Sequence, residues 1–281
     1  MGVTFTTLSA LATRFIPIHG FLFMLTRLTY SFYERRLLRQ VSRLPTPKHV
    51  GIILDGNRRH AQRVRLTEPR EIYDLGAHKL DDVLGWCADL NIPAVTLWVL
   101  SPENLRRTAL EVSGILSAIE AKMSALARDP EIHRRRVRVR AAGRIDLLPE
   151  SVRDAIRAAE GATANYEAMI LTIAVAYGGR EEIADAVRGF LVAHAKQGHS
   201  LEEIVAQVTP AAIQRHLYVD DLPDPDLIIR TSGEIRLSGF LLWQSAFSEY
   251  YFTDVNWPAL RRIDFLRAIR SLQQRQRRYG R

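Results

Sequence analysis

Short apolar runs alternate with helical patterns along the chain from Lys48 onward. The runs are mostly β-branched and continuously apolar, which is typical of strands buried on both faces of a parallel sheet. They cover His49–Leu54, Ala94–Leu100, Val137–Ala142, Met169–Ala176, Asp226–Ile229 and Tyr250–Thr253. Helical spacing of apolar residues covers 74–90, 109–128, 149–161, 180–197, 210–217 and 263–278. The pattern predicts an α/β fold with one domain, residues 46–281, whose mainly parallel six-stranded sheet is flanked by helices.

Residues 1–45 differ from the rest of the chain in their pattern of apolar and charged residues, and they form a predicted N-terminal extension. Two uncharged stretches, 1–13 and 15–26, are separated by Arg14. Each is too short to span a bilayer, and Pro17 and Gly20 interrupt the second. From Ile18, apolar residues recur at helical spacing beside arginines, which predicts an amphipathic helix. Two interpretations stay open at this point: the helix lies on a membrane surface, or it packs on the main domain.

Composition narrows the classes of protein without changing this fold. Of the 281 residues, 47% are hydrophobic and 25% are charged, which excludes wholesale disorder. The net charge of +8 comes from the two ends, while the middle of the chain is slightly acidic. A continuous basic stripe is therefore missing, and we expect no nucleic-acid partner. Cys87 is the single cysteine, which fits a reducing compartment and predicts a cytoplasmic protein.

Polar residues follow four of the predicted strands at the point where each strand ends. In an open parallel sheet, ligands bind beyond the carboxyl ends of the strands. The segments there are 55–59, 101–107, 177–180 and 230–238, and together they supply glycines, small hydroxyls, carboxylates and arginines. Glycine-opened backbone N–H groups and arginine forks bind phosphates, and a carboxylate can hold a divalent cation. The pattern favours a bound polyanion.

Single motifs here have ordinary structural explanations as well. Asp55-Gly56-Asn57 alone is more often a turn, and Asn104 alone is more often a helix cap. The acidic segment 220–224 formally matches the DDxxD pattern, but Pro223 and Pro225 prevent the helix that this pattern needs. The arginine-rich segment 133–140 resembles an RNA-binding patch, but its pattern predicts the end of a helix followed by a strand. It also lacks the interleaved aromatic residues that stack on bases.

Taken together, the motifs resemble those of the cis-prenyltransferase family, over about Pro47 to Gly280. They are His49-Val50-Gly51-Ile52-Ile53-Leu54-Asp55-Gly56-Asn57-Arg58-Arg59, Ser101-Pro102-Glu103-Asn104, Asp226-Leu227-Ile228-Ile229-Arg230-Thr231-Ser232-Gly233-Glu234, Phe240-Leu241-Leu242-Trp243-Gln244 and Trp257-Pro258. The segment Tyr30–Val41 and the C-terminal half are most similar to short-chain members that make a Z,E-farnesyl product.

The resemblance implies an enzyme that condenses isopentenyl diphosphate with an allylic diphosphate (dimethylallyl, geranyl or farnesyl). The product would be a Z-prenyl diphosphate of short to medium length, formed with Mg²⁺. Asp55 would hold the metal and assist departure of the diphosphate, Glu249 would be the second metal carboxylate, and Asn104 would take part in proton removal. The implied substrate-binding residues are Gly56, Asn57, Arg58, Arg59, His60, Tyr73, Ser101, Pro102, Glu103, Leu105, Arg107, Arg230, Arg236, Leu237, Ser238, Arg278 and Gly280.

Partners follow from the same resemblance. Arg278-Tyr279-Gly280 matches a terminal motif that reaches a neighbouring subunit's phosphate site, so a homodimer is implied. Residues 1–40 would contact the membrane peripherally if the first interpretation of the extension holds. Val99 occupies a position on the strand that lines the tail tunnel, where a residue larger than alanine favours a shorter product.

Departures from the family pattern keep other readings open. His60, Leu105 and Ile235 replace residues that are common in the family, and Ile72-Tyr73-Asp74 stands where a histidine-containing segment is usual. An altered allylic pocket leaves irregular prenyl coupling or terpene cyclisation as an alternative. A non-catalytic partner subunit is a further one, disfavoured because Asp55, Arg230 and Glu249 are retained.

Overall fold

Six parallel strands form one sheet at the centre of the molecule. The structure is a computed structural model that describes residues 18–279, with side chains described for residues 29–275. Its strands are β1 (His49–Ile53), β2 (Ala94–Trp98), β3 (Val137–Ala142), β4 (Met169–Ala174), β5 (Leu227–Arg230) and β6 (Glu249–Phe252), in the spatial order β3-β4-β2-β1-β5-β6. All six predicted strands are confirmed to within two residues at each end.

Helices connect the strands and cover both faces of the sheet. They are α1 (Ile18–Val41), α2 (Asn57–Val64), α3 (Pro69–Asp89), α4 (Ala109–Leu126), α5 (Pro130–Arg134), α6 (Glu150–Thr163), α7 (Gly179–Lys196), α8 (Leu201–Ala206), α9 (Pro210–Gln214) and α10 (Arg262–Tyr279). The predicted helices are confirmed, and the extension contains a helix, α1, as predicted. The short helices α2, α5 and α8 were not predicted.

The core explains why the strand sequences are continuously apolar. All five residues of β1 are buried, because the strand lies between β2 and β5 and is covered on both faces. Val50 and Ile52 belong to the larger apolar cluster, which also contains side chains of α3, α4, α6 and α10. Ile53 belongs to a second cluster on the other face, with Tyr177 and Phe240. The sheet is therefore the middle of three layers.

The second half of α1 packs on α10. The C-terminal end of the predicted extension is therefore part of the main domain. Leu37 and Val41 are almost completely buried in the larger cluster. The Gln273 side chain of α10 donates hydrogen bonds to the carbonyl oxygens of Val41 and Pro45, both at 3.0 Å. Among the helices in the described part of the chain, none is long and apolar enough to cross a membrane.

Candidate active site

A cavity of about 500 Å³ opens above the carboxyl ends of β1, β2 and β5. This is the edge at which an open parallel sheet binds ligands. Most of the residues predicted for the site line it, namely Asp55, Gly56, Asn57, Arg58, Arg59, Tyr73, Ser101, Glu103, Asn104, Arg107, Arg230, Arg236 and Ser238. The parallel topology thus brings together residues as far apart in sequence as Asp55 and Arg230, which are 175 positions apart.

Asp55 lines this cavity and is oriented by Arg230. One carboxylate oxygen, Oδ2, accepts hydrogen bonds from Arg230 Nε at 2.9 Å and from Nη2 at 2.7 Å. The Arg230 side chain is only 3% exposed, while that of Asp55 is 37% exposed. Arg230 also donates from Nη1 to Ser238 Oγ at 2.6 Å. The buried guanidinium is therefore paired, and it holds Asp55 at the cavity wall.

Gly56 turns the chain from Asp55 into α2. Its φ of +98° lies in the left-handed region that glycine adopts without strain. A Cβ atom at this position would stand 2.5 Å from the Asn256 side-chain oxygen, so the loop also needs glycine for space. The turn places the first residues of α2, Asn57 and Arg58, in the cavity lining. The positive end of a helix dipole is thus available to an anion.

One acidic side chain, Glu234, gathers two arginines at the cavity rim. Glu234 forms ion pairs with both Arg59 and Arg236, which are 56% and 60% exposed. The Arg59 hydrogen bond holds the pKa of Glu234 below its usual value. Arg59 Nη1 also donates to the carbonyl oxygen and the hydroxyl of Ser232, each at 2.8 Å. The guanidinium groups of Arg59 and Arg236 are thereby held at the rim, where a diphosphate can replace the Glu234 carboxylate as their partner.

A second arginine cluster is organised by Glu111 of α4. Its carboxylate accepts from Arg107 Nη1 at 3.0 Å and lies 3.3 Å from Arg58 Nη1. The Tyr73 hydroxyl donates to the same carboxylate at 3.1 Å, and burial raises the pKa of this phenol. Glu111 and Ser232 were not predicted as site residues. The only signal for Glu111 was its spacing of four residues from Arg107, which permits a helical ion pair.

The turn after β2 contributes Ser101, Glu103 and Asn104. The Asn104 side-chain oxygen accepts from the backbone N–H of Ser101 at 3.2 Å, so this amide caps the 3₁₀ turn Pro102–Arg106. Asn104 nonetheless lines the cavity, so capping and a catalytic role do not exclude each other here. A hydrogen bond from the Ser101 hydroxyl lowers the pKa of Glu103.

Glu249 does not line this cavity, so the sharing of a metal ion by Glu249 and Asp55 stays a prediction that one chain alone does not fulfil. Glu249 begins β6 and is level with Leu227 at the opposite edge of the sheet, whereas Asp55 follows the end of β1. Five residue steps of strand separate the two levels, about 16 Å. A magnesium ion reaches ligands at about 2 Å, so one chain cannot join both carboxylates to one ion. Glu249 instead pairs with Arg275.

Several other predicted site residues do not line the cavity. His60 lies within α2, and its backbone N–H bonds to the Gly56 carbonyl oxygen at 2.8 Å. Leu105 packs against the larger apolar cluster. Pro102 and Leu237 are chain neighbours of lining residues without lining the cavity themselves. The Arg278 side chain and Gly280 lie outside the described residues.

An apolar cavity of about 70 Å³ continues from the polar one. The two share Leu54, Asn57, Tyr73, Val99 and Ile115 in their walls. Beyond these, the apolar cavity runs between α3 and α4 past side chains such as Leu80, Ile119 and Met123. Lys122 also lines it, and its ammonium group pairs with Asp81 at 2.5 Å. A ligand that fills both spaces has a charged head and a hydrocarbon tail.

Asp55 is the residue in the cavity best suited to hold a divalent cation. Its Oδ2 is engaged by Arg230, and within the described residues its Oδ1 has no hydrogen-bond donor. No cluster of three or more histidine, cysteine or acidic side chains in the described part of the chain forms a ready-made cage. Mg²⁺ is commonly held by one or two carboxylates together with substrate phosphates, and this donor set fits that arrangement.

The fold and the cavities define an α/β protein built to bind a diphosphate that carries an apolar tail. Comparison with known proteins identifies the family. The chain belongs to the undecaprenyl diphosphate synthase family, because the family model described as putative undecaprenyl diphosphate synthase matches residues 53–280. The resemblance to the cis-prenyltransferases that the motifs suggested is confirmed.

Individual relatives cover nearly the whole chain. A tritrans,polycis-undecaprenyl-diphosphate synthase (geranylgeranyl-diphosphate specific) from Methanopyrus kandleri is 52% identical over 252 residues, 90% of this chain and 91% of the relative. A (2Z,6E)-farnesyl diphosphate synthase from Thermobifida fusca is 48% identical over 251 residues, 89% of this chain and 96% of the relative. The crystal structure of lavandulyl diphosphate synthase from Lavandula x intermedia, in complex with dimethylallyl diphosphate, superimposes with a TM-score of 0.73 at 34% identity, covering 81% of this chain and 95% of that one.

Proposed function

We propose that this protein is a cis-prenyltransferase that condenses isopentenyl diphosphate with an allylic diphosphate to give a Z-prenyl diphosphate. The observation that carries the proposal is the junction of the two cavities. Arginines and Asp55 line the polar cavity, and the apolar cavity begins at Leu54 and Val99. This arrangement binds the head and the tail of a prenyl diphosphate at once. The family and the lavandulyl diphosphate synthase neighbour, whose structure contains dimethylallyl diphosphate, support the same substrate class.

The arginines of the two clusters bind and orient the charged groups. Arg58 and Arg107 would take one diphosphate, since both already share the Glu111 carboxylate at the cavity wall. Arg236 and Ser238 would take the other, beside the buried Arg230. Asp55 and phosphate oxygens would hold Mg²⁺, which would supply positive charge to the leaving diphosphate. The carbon–oxygen bond of the allylic substrate breaks, and both electrons leave with pyrophosphate.

The new carbon–carbon bond forms when the isopentenyl double bond attacks the allylic carbon, and loss of one proton leaves the Z double bond. Asn104 lies in the lining, next to the turn that carries Ser101, and is our candidate for positioning this proton transfer. A non-catalytic role is disfavoured because a scaffold has no use for an ion pair between a buried Arg230 and a half-exposed Asp55.

The length of the product is proposed to be short to medium. The two relatives named above make products of different length according to their names, at almost the same identity, so family membership alone leaves the length open. Val99 and Lys122 line the apolar cavity, and its small volume of about 70 Å³ supports a shorter tail. We also propose a homodimer, a cytoplasmic enzyme, and a peripheral membrane contact through residues 1–40.

The deciding experiment combines purified protein and Mg²⁺ with radiolabelled isopentenyl diphosphate and, in turn, dimethylallyl, geranyl or farnesyl diphosphate. Products are dephosphorylated and sized, and their skeletons are identified by mass spectrometry. We expect a regular Z-prenyl product that Asp55→Ala reduces at least about 100-fold, the usual cost of removing a charge-stabilising group. Asp82→Ala is the matched control, because Asp82 lies on the surface and pairs with Lys79.

Two results would contradict the proposal. No incorporation with any primer would indicate a binding or partner subunit. A branched or cyclic skeleton would indicate irregular coupling or cyclisation on the same fold. An Asp55→Ala variant as active as Asp82→Ala would remove the proposed role of Asp55 while leaving the reaction class intact.

A further inference from the structure

A cleft lined by five arginines lies between the C-terminal half of α1 and α10. Its volume is about 730 Å³, and it shares no described lining residue with the two cavities of the candidate active site. The arginines are Arg35, Arg36 and Arg39 of α1, Arg43 in the following turn, and Arg270 of α10. The remaining lining is uncharged, and comprises Phe32, Gln40, Leu44, Gln273 and Gln274.

The positive charge of this cleft is not neutralised by any carboxylate among the residues whose side chains are described. Within the described residues, no aspartate or glutamate lines the cleft, and none of the five arginines forms an ion pair. The carboxylates nearby in sequence are already engaged: Glu34 with Arg262, Asp264 with Arg261, and Glu249 with Arg275. Arg35 and Arg39 stand four residues apart on one helix, a spacing at which like charges destabilise the helix.

An arginine cluster without carboxylates is suited to phosphate, because guanidinium groups bind phosphate oxygens in a bidentate manner. Phe32 adds a second observation. It lines the same cleft and is 71% exposed, so an aromatic ring stands beside the arginines in solvent. Basic side chains next to exposed aromatic or apolar ones are typical of helices that lie in the headgroup region of a membrane.

We infer that this cleft binds the phosphate headgroups of anionic lipids and holds the enzyme on a membrane surface. The inward side of α1 packs on the domain through Leu37 and Val41, while its arginines line the cleft. Both interpretations of the extension are thereby combined. The sequence N-terminal to the cleft is compatible, since Arg14 is the only acidic or basic residue, histidine aside, among residues 1–26. The inference deepens the proposed membrane contact and does not depend on the prenyl-transfer chemistry.

Vesicle flotation tests the inference with the full chain. The first arm uses vesicles of phosphatidylcholine containing phosphatidylglycerol, and the second uses phosphatidylcholine alone. Each basic residue near an anionic surface contributes about fivefold to partition, so the triple variant Arg35→Gln/Arg39→Gln/Arg43→Gln should bind anionic vesicles roughly 100-fold more weakly. The matched control is Arg63→Gln/Arg128→Gln/Arg215→Gln, which removes the same charge at exposed positions outside the cleft.

We expect the native chain and the control to float with anionic vesicles and to stay behind with phosphatidylcholine. The native chain, the triple variant and the control should all have the same prenyl-transfer activity on water-soluble substrates. Loss of vesicle binding can therefore be distinguished from loss of the proposed reaction. If the triple variant does not fold, as judged by its thermal midpoint, Arg36→Gln/Arg270→Gln takes its place, with an expected loss of roughly 30-fold.

Three results would overturn the inference. The triple variant could partition like the control. Inorganic phosphate or glycerol phosphate could bind the cleft while the native chain ignores anionic vesicles, which would make it a site for a soluble anion. Finally, the triple variant could lose binding to an RNA probe and keep its vesicle binding, which would assign the cleft to a nucleic acid.

Discussion

Arg230 shows how a single, almost completely buried residue can organise the site that it lines. Its guanidinium is buried, and it uses three nitrogens: two for Asp55 and one for Ser238. A buried charge of this kind is costly unless its partners are well placed. The planar fork of arginine meets this geometry, whereas the ammonium group of lysine provides a single point of charge.

Replacement Arg230→Lys should therefore impair the enzyme although it conserves the charge. We expect turnover to fall about 100-fold, because Asp55 loses one of its two hydrogen bonds and its fixed orientation. Steady-state kinetics with isopentenyl diphosphate checks this, with circular dichroism to show that the variant is folded. Arg157→Lys, at a half-exposed position paired with Glu150, is the control. Equal turnover in the two variants would remove the positioning role of Arg230.

His49 gives the protein a pH dependence of stability that is independent of the active site. Its ring is buried at the start of β1, where Nδ1 donates to the Pro223 carbonyl oxygen at 2.7 Å and Nε2 accepts from the Thr96 hydroxyl at 2.8 Å. Burial disfavours the imidazolium and lowers the pKa of His49 to about 4, from an ordinary value of 6.5. The folded state therefore requires neutral histidine.

Between these two pKa values the unfolded chain binds a proton that the folded chain does not. The contribution of His49 is thus complete above about pH 6.5 and is lost at about 1.4 kcal/mol per pH unit as the pH falls toward 4. We expect the free energy of unfolding, measured with urea, to fall between about pH 7 and about pH 5. The fall should be about 2 kcal/mol larger in the native chain than in the His49→Gln variant. Identical pH slopes in the two proteins would contradict this assignment.

At the scale of the secondary-structure elements, the sequence predicted the strands better than the short helices. Strands such as β1 and β4 are buried on both faces, and a continuous run of apolar residues directly indicates such burial. Helices α2 and α8 have eight and six residues, too few for a helical period to repeat more than about twice. Asp55-Gly56-Asn57 forms a turn because Gly56 redirects the chain, and α2 begins at Asn57.

The candidate site shows the same division between local and tertiary information. The residues that follow β1, β2 and β5 could be assigned to one edge because parallel strands share their direction. Glu249 does not join this edge within one chain, because a residue at the start of a strand lies at the opposite edge, and its motif gives only a position in sequence. Glu111 could not be singled out, since its spacing from Arg107 indicates only a local ion pair, and Arg58 of α2 meets it only in the folded chain.

The wall formed by β2, α3 and α4 makes a prediction about product length. Val99 follows β2 and lines both cavities, so Val99→Ala should widen the passage and shift the product to at least one additional isoprene unit. Sizing of dephosphorylated products by chromatography measures the shift. Val112→Ala on α4, which lines neither cavity, is the control. An unchanged product would contradict this role of Val99 and would indicate that the Lys122–Asp81 pair, further along the apolar cavity, limits the length of the product.

At the scale of the whole molecule, the two edges of the sheet differ in a way that concerns assembly. The outer strand β3 carries Arg138 and Arg140, and Arg140 pairs with Asp221. Charged residues on an edge strand discourage pairing with another chain. The opposite edge strand, β6, carries stacked Tyr250 and Phe252 rings instead, 6.0 Å apart. The proposed homodimer would therefore use the β6 side of the molecule.

Phe247, two residues before β6, is the residue through which this can be tested. Its side chain is 96% exposed, a large apolar area to leave in water, and aromatic anchors carry much of the energy of interfaces. Phe247→Ser should raise the dimer dissociation constant at least about tenfold in sedimentation equilibrium. Leu201→Ser, at a position 69% exposed on α8, should leave it unchanged. A dimer that Leu201→Ser weakens and Phe247→Ser does not would lie on the α8 side, and the two sheet edges would have no part in assembly.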